Sequence, residues 1–507
     1  MTHFSVSSQD GSGADLGNAA GAGPAEDAGH MDAGHMDAGH MDAAEFRRYG
    51  HEVIDWIADY HSRVESLPVL SRSAPGDIRA GLPSSAPERG EDFADVLADV
   101  DRVLLPGITH WQHPSFFAYF PANTSGPAIL GDLLASGLGV QGMLWATSPA
   151  ATELETHVLD WLGELLGLPP QFRSDGPGGG VIQHSASDAV LVALLAALHR
   201  ASGGRATVDG VGAGRYAVYT SGQTHSSVEK ACRVAGLGSA ALRRIDVDPV
   251  DQSADVEHLR GLVEADVAAG IVPTLIVASV GATGTGAIDP VASFGAVARD
   301  TGAWLHVDAA WAGVAAVCPE LRWILDGVEA ADSVCTNPHK WLLTTFDCDA
   351  LWVADRASLI GALSILPEYL RNAASESGAV IDYRDWQVPL GRRMRALKLW
   401  AVIRCYGASG LRAHIRGHVA LAQHFAARVA ADPRLELLAP HPLALVTFAF
   451  TAGDDAGRAA MERVNRSGQA YLTHTTVNGR FALRVAIGSP HTRQRHVDAL
   501  FEALVET

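Results

Sequence analysis

Two residues with matching chemistry stand at the ends of apolar runs: Asp308 closes AWLHVD, and Lys340 follows ADSVCTN in NPHKWL, 32 positions later. If both runs are strands of one sheet, the carboxylate and the amine face a common crevice. Such a pair can hold opposite ends of one flat cofactor. The amine carries an aldehyde as a Schiff base, and the carboxylate keeps a pyridine nitrogen protonated, so that the ring accepts electrons. That is the requirement of pyridoxal 5′-phosphate (PLP) chemistry. Taken singly, an aspartate at a strand end is an ordinary cap and a lysine an ordinary solvated cation.

A PLP site also needs a phosphate cradle, and PGGGVIQHSASDAVLVALLAAL at 177–198 has the right form. Strand residues run into Ser185, Ala186 and Ser187, which open an apolar helix whose first N–H groups bind anions. A plain helix cap at Ser185 or Ser187 is compatible with that role. His225 follows the strand-like YAVYTS and is placed to stack on a ring, while His339 puts an imidazole beside Lys340. Either histidine alone is equally well explained as a satisfied structural residue.

The elements that must position these residues are legible as alternation. Between about 125 and 355, short β-branched runs at 216–221, 273–280, 303–307, 331–337 and 350–355 alternate with helical stretches. This pattern predicts an α/β fold with a mainly parallel central sheet covered by helices. Upstream, Phe46, Tyr49, Val53, Ile57 and Tyr60 recur at three- and four-residue steps, the mark of an amphipathic helix. Beyond 396 a long helical stretch leads to alternating segments at 443–450 and 480–488, which predict a smaller α+β domain. Four regions are therefore expected: an acidic disordered tail at 1–42, an N-terminal helical arm and dimerisation segment at 43–125, a large cofactor-binding domain at 126–395, and a small C-terminal domain at 396–507.

The tail holds seven acidic and no basic side chains and a threefold AGHMD repeat over 28–42. It cannot build a core. Its histidines, His30, His35 and His40, fix no coordination geometry, so repeat duplication is favoured over weak metal binding and no metal site is assigned. The 507-residue chain has 38 basic against 57 acidic side chains, a formal charge of -19, which argues against a nucleic-acid partner. No apolar run approaches the ~18 residues of a membrane span, and no signal peptide is evident, so a cytoplasmic location is expected. Five scattered cysteines suggest neither a disulfide framework nor a zinc knuckle.

Longer motifs carry a resemblance: MDAAEFRRYGHEVIDWIADY, PGITHWQHPSFFAYFP, TSPAATELE, HVDAAWAG, NPHKWLL, FDCDALWV and PLGRRMRALKLW, in this order from about Met41 onward. Together they resemble the group II PLP-dependent decarboxylases, and within them the aromatic-L-amino-acid decarboxylase family. The resemblance implies the fold type I, aspartate-aminotransferase-like architecture and release of an amine and CO2 from an L-amino acid. It implies Lys340 as the Schiff-base lysine, His225 stacked on the ring, Asp308 paired with the pyridine nitrogen, and Ala310 against the ring. Ser185, Ala186, Ser187, Asn337 and His339 would hold the phosphate, with Thr283 near His225 and the cofactor. Tyr369, in LPEYLRN, matches the family's mobile loop, where tyrosine returns a proton to the substrate carbon; phenylalanine there marks related aldehyde synthases. Family members are homodimers with shared sites, so Trp111, Phe120, Pro121, Gln141 and Met143 are candidate substrate-pocket residues.

Arg384 and Arg392 match family arginines, although surface salt bridging would explain them as well. Departures concern substrate choice: His184 replaces a glycine of animal members, Ala122 a threonine, and Gln141 and Met143 bulkier apolar residues. Two other readings compete. An aminotransferase, aldehyde synthase, or glutamate or 2,4-diaminobutyrate decarboxylase would share Lys340 and Asp308. A nicotinamide dehydrogenase is suggested by PTLIVASV running into Gly281, Gly284 and Gly286, but G-x-x-G-x-G is not the G-x-G-x-x-G fingerprint.

Overall fold

The structure is a computed structural model that describes residues 40–212, 214–365 and 380–506. Seven strands form the central sheet: β1 (Gly179–Gln183), β2 (Tyr216–Ser221), β3 (Leu242–Ile245), β4 (Val272–Ser279), β5 (Trp304–Asp308), β6 (Ser333–Thr336) and β7 (Asp349–Val353). Their order is β1-β7-β6-β5-β4-β2-β3. The run from β3 to β6 is parallel, and β7 lies antiparallel between β6 and β1. The expected mainly parallel α/β architecture is thus present.

A parallel sheet must be covered on both faces, and the strands alternate accordingly. Ile276 and Leu305 enter one apolar cluster, and their neighbours Leu275, Val277 and Trp304 enter the other. Helix Ala186–Ser202 covers the second face, its small residues Ala189, Ala193 and Ala197 fully or almost fully buried. Carboxyl ends of β2, β4, β5 and β6 therefore converge at one edge of the sheet, where Ser279, Asp308 and Asn337 lie.

The N-terminal helix Ala43–Arg63 starts where the repeats end. Asp42, the last residue of the third AGHMD unit, accepts from Ala44 N (2.7 Å) and Glu45 N (2.8 Å), and Glu45 returns the bond to Asp42 N. Only Tyr49 of its apolar stripe is fully buried, while Phe46 is 63% exposed. A second sheet, β8 (Leu435–Leu437), β9 (Leu445–Phe450), β10 (Thr473–Val477) and β11 (Arg480–Ala486), is antiparallel in the order β10-β11-β9-β8.

Helix Ala396–Ala431 connects the two sheets and is interrupted at Gly407, whose φ of 61° and ψ of 171° are not helical. Its first part packs directly on helix Gly126–Leu138. A Cβ added at Gly131 would lie 2.6 Å from Lys398 Cα, so only glycine allows this approach of two backbones. Replacing Gly131 with valine should overpack the contact by about 1–3 kcal/mol. Thermal unfolding of the purified variant will check this through a lower midpoint.

Candidate active site

Asp308 and Lys340 meet as their positions in the sequence suggest. Asp308 is the last residue of β5 and pairs in register with Cys335 of β6. After Asn337 the chain turns into the short helix Pro338–Trp341 that carries Lys340. The two strand exits are tied by Asn337 N donating to Ala310 O at 2.8 Å. A cavity of about 230 Å³ opens here, and all ten residues expected to bind the cofactor line it: Ser185, Ala186, Ser187, His225, Thr283, Asp308, Ala310, Asn337, His339 and Lys340.

The electrostatics suit an amine nucleophile. Burial lowers the pKa of Lys340, opposed by Asp308, Cys335 and Asp349, so a larger fraction is neutral than for a solvated lysine. His225 is also pushed down, first by burial and then by Lys340. Its Nδ1 accepts from Ser227 N at 3.2 Å, which leaves the ring proton of the neutral form on Nε2. His339 is driven to about 3 by burial, and its Nδ1 accepts from Cys348 N at 3.0 Å. Both imidazoles are thus less basic than that of a solvated histidine.

The cradle fits a phosphate. Ala186 and Ser187 N–H groups have no acceptor among the described residues, and the Asn337 Oδ1 is buried without a partner. Arg392 braces this end: it pairs with Glu155, donates to Ile182 O (2.8 Å), and Glu155 also accepts from Ile182 N (2.7 Å), two residues before the His184–Ser185 turn. Arg392 and Arg384 are 4% and 6% exposed, so surface salt bridging is excluded for both. Arg384 sits instead among Asp382 and Asp385 and donates its backbone N–H to Met143 O at 3.0 Å.

Of the five substrate-pocket candidates, Phe120 lines the cavity. Pro121 packs on Gly488, Trp111 stacks on Tyr119 (5.8 Å), Gln141 Oε1 accepts from Arg392 N, and Met143 contacts the Arg384 segment. These four do not line the cavity within one chain. Tyr369 lies outside the described residues, as do His30 and His35. The glycines at 281, 284 and 286 do not open a nucleotide-binding helix. They form a turn closed by Gly281 N and Ala287 O at 2.9 Å, and Gly284 O accepts from Thr447 of β9, which removes the basis for a dehydrogenase.

Three features have no local signature in the sequence. Trp311 stacks between Phe120 (4.5 Å) and Trp341 (5.2 Å), giving the cavity an aromatic wall. Asn123, from the N-terminal region, accepts from Leu343 N through its side chain, and its backbone N–H donates to His339 O at 2.7 Å. With Ser125 donating to Leu343 O at 2.7 Å, it holds Leu343 at φ 56°, a costly conformation for a branched residue. Arg484 of β11 is 4% exposed and has no carboxylate partner among the described residues; burial pushes it down to about 10. Its guanidinium lies 5.2 Å from the Phe120 ring, whose other cationic neighbour is Lys340 Nζ at 5.7 Å.

Comparison with known proteins agrees with this geometry. The pyridoxal-dependent decarboxylase conserved domain matches residues 75–451. The chain is 47% identical to a phenylacetaldehyde synthase of Arabidopsis thaliana, covering 91% of this chain and 95% of that protein. It is 44% identical to tryptophan decarboxylase 2 of Oryza sativa subsp. japonica, over 91% and 94% of the two chains. The crystal structure of Oryza sativa TDC with PLP and tryptamine superposes with a TM-score of 0.89 at 45% identity, covering 92% of this chain and 97% of that one. A carboxylate and a lysine at adjoining strand exits, an anion cradle beside them and this breadth of similarity lead to one conclusion: the chain belongs to the group II PLP-dependent decarboxylases, on the fold type I framework.

Proposed function

We propose that the protein decarboxylates an aromatic L-amino acid to its amine and CO2, and the observation that carries this reading is the junction of Asp308, Lys340 and an aromatic wall in one cavity. Lys340 would hold the cofactor aldehyde, Asp308 the pyridine nitrogen, and Ser185, Ala186, Ser187, Asn337 and His339 the phosphate, with Ala310 and His225 against the ring and Thr283 beside it. Bound PLP supplies the electron sink for the carbanion left when CO2 departs. Phe120, Trp311 and Phe346 offer aromatic surface to a substrate side chain.

Tyr369 is proposed, from the sequence alone, to return the proton to the substrate carbon. A second reading, decarboxylation-dependent aldehyde synthesis, has specific support in the 47% identity to a phenylacetaldehyde synthase. Tyrosine rather than phenylalanine at 369 favours the amine.

A homodimer with shared sites is also proposed. Leu130, Leu133, Leu134 and Leu138 on helix Gly126–Leu138 are 50–61% exposed, and Phe46 and Trp111 also face outward. Such a surface favours self-association. Trp111, Pro121, Gln141 and Met143 would then contribute to the pocket formed with the partner. Among the described residues no helix is long and apolar enough to cross a membrane.

One panel tests the chemistry: tryptophan, tyrosine, dihydroxyphenylalanine, phenylalanine and histidine, with glutamate and 2,4-diaminobutyrate as controls, assayed for CO2, amine, ammonia and peroxide. Amine with matching CO2 from an aromatic substrate is expected, and stoichiometric peroxide and ammonia would move the assignment to the aldehyde synthase. Lys340→Ala should abolish both turnover and the visible band of the bound cofactor. Tyr369→Phe should divert product toward aldehyde. Leu134→Lys should convert dimer to monomer in light scattering.

A further inference from the structure

Next to Asp308 runs a line of buried polar side chains, none of which lines the cavity. Trp304 Nε1 is 2.7 Å from Ser333 Oγ, which is 2.8 Å from His306 Nδ1. His306 Nε2 is 3.7 Å from Cys335 Sγ, and that sulfur is 3.9 Å from Asp308 Oδ1. Trp304, Ser333, His306 and Cys335 are at most 1% exposed, so each proton must find its acceptor inside the protein.

That condition fixes the direction of the line. The indole N–H can only donate, so Ser333 Oγ accepts from it. Ser333 has one proton of its own and, among the described residues, no other acceptor than His306 Nδ1. A proton on Nδ1 would leave that hydroxyl proton stranded, so the imidazole carries its hydrogen on Nε2 and gives it to Cys335 Sγ. The thiol proton is then free to point at Asp308 Oδ1. Burial holds His306 at about 4, hence neutral, and burial with Asp349 and Asp308 nearby pushes the Cys335 thiol well up, hence protonated. Asp308 Oδ1 also accepts from Ala310 N at 3.1 Å, while no protein donor among the described residues reaches Oδ2.

We infer that Trp304, Ser333, His306 and Cys335 form a one-way donor relay that positions Asp308, engaging its Oδ1 from behind so that Oδ2 is left for the cofactor. They are positioning residues: none is needed in contact with substrate. By engaging Oδ1 and fixing the carboxylate, the relay presents Oδ2 to a protonated ring nitrogen in one orientation, and loosening it weakens that pairing. This rests on the proposed pairing of Asp308 with the pyridine nitrogen.

The test uses apoprotein reconstituted with ¹⁵N-labelled PLP, reading the ring-nitrogen signal by NMR and the PLP dissociation constant by titration. Cys335→Ala should move the signal toward its unprotonated position and weaken PLP binding about three- to tenfold, the range for one ordinary hydrogen bond. Trp304→Phe and Ser333→Ala, which leave the cavity lining untouched, should shift the signal the same way by less, and they carry the test if Cys335→Ala does not fold. Cys318→Ala removes another buried thiol outside the line and should change neither reading. The relay is refuted if Cys335→Ala, or both distal variants, match Cys318→Ala in both measurements. Asp308→Asn separates the two levels: a shifted signal there with none in the relay variants sinks the relay alone, and no shift in Asp308→Asn sinks the cofactor pairing beneath it.

Discussion

A carboxylate and an amine must be held close together at the exits of two adjacent strands, partly out of water, and nearly everything else in the molecule serves that constraint. Burial alone would discharge the lysine, and the neighbouring Asp308 opposes it. The compromise is an amine with lowered basicity but an intact negative neighbour, which suits covalent capture of an aldehyde. Neither residue can be placed by its own segment. Asp308 is fixed by the parallel pairing of β5 with β4 and β6, and Lys340 by the turn to which Asn123, Ser125 and Asn337 are hydrogen-bonded.

Strain and buried charge are concentrated around this point and compensated locally. Leu343 is kept left-handed just after the lysine helix, and the Glu155–Arg392 pair is almost wholly desolvated beneath the phosphate turn. A buried ion pair of this kind is poor evidence of stability, because desolvation offsets most of its Coulomb attraction. Its value lies in orientation: Glu155 and Arg392 hold both the N–H and the C=O of Ile182, so the strand that delivers Ser185 cannot slide. Asp349 is a different case. Fully buried, with neither side-chain oxygen hydrogen-bonded among the described residues, it is pushed well up, first by burial and then by Asp308.

Much of this arrangement was legible in the chain because it is local. HVDAAWAG and NPHKWL each place a reactive group within one or two residues of a strand end, and the alternation of runs orders the strands that bring them together. The reversed direction of β7 was not legible: DALWV is buried on both faces like its parallel neighbours, and a fully buried strand carries no mark of its polarity. Arg484, Asn123 and the His306–Cys335 contact were missed for another reason. Each acts across distant parts of the chain, and nothing near Arg484 in RFALRVAIG indicates that its guanidinium lacks a carboxylate. Conversely, Arg384 and Arg392 read as surface residues from composition, because burial of a charge is decided by partners such as Glu155 that lie far away in sequence.

The cavity is closed unevenly, and that asymmetry bears on how chemistry is protected from water. Its strand-end floor, with Ser279, Asp308 and Asn337, is buried, whereas Ser187, His225 and Phe346, which also line it, are exposed, Phe346 by 64%. Leaving such a ring in water forgoes roughly 1.5–3 kcal/mol of burial, and an open mouth weakens every electrostatic interaction within. A carbanion formed there would meet solvent protons without control. Thr345, next to Phe346, donates to Asp132 of helix Gly126–Leu138 at 2.6 Å, so the uncovered ring adjoins the exposed leucines of that helix, and apolar rings and reacting carbon share one demand for removal from water.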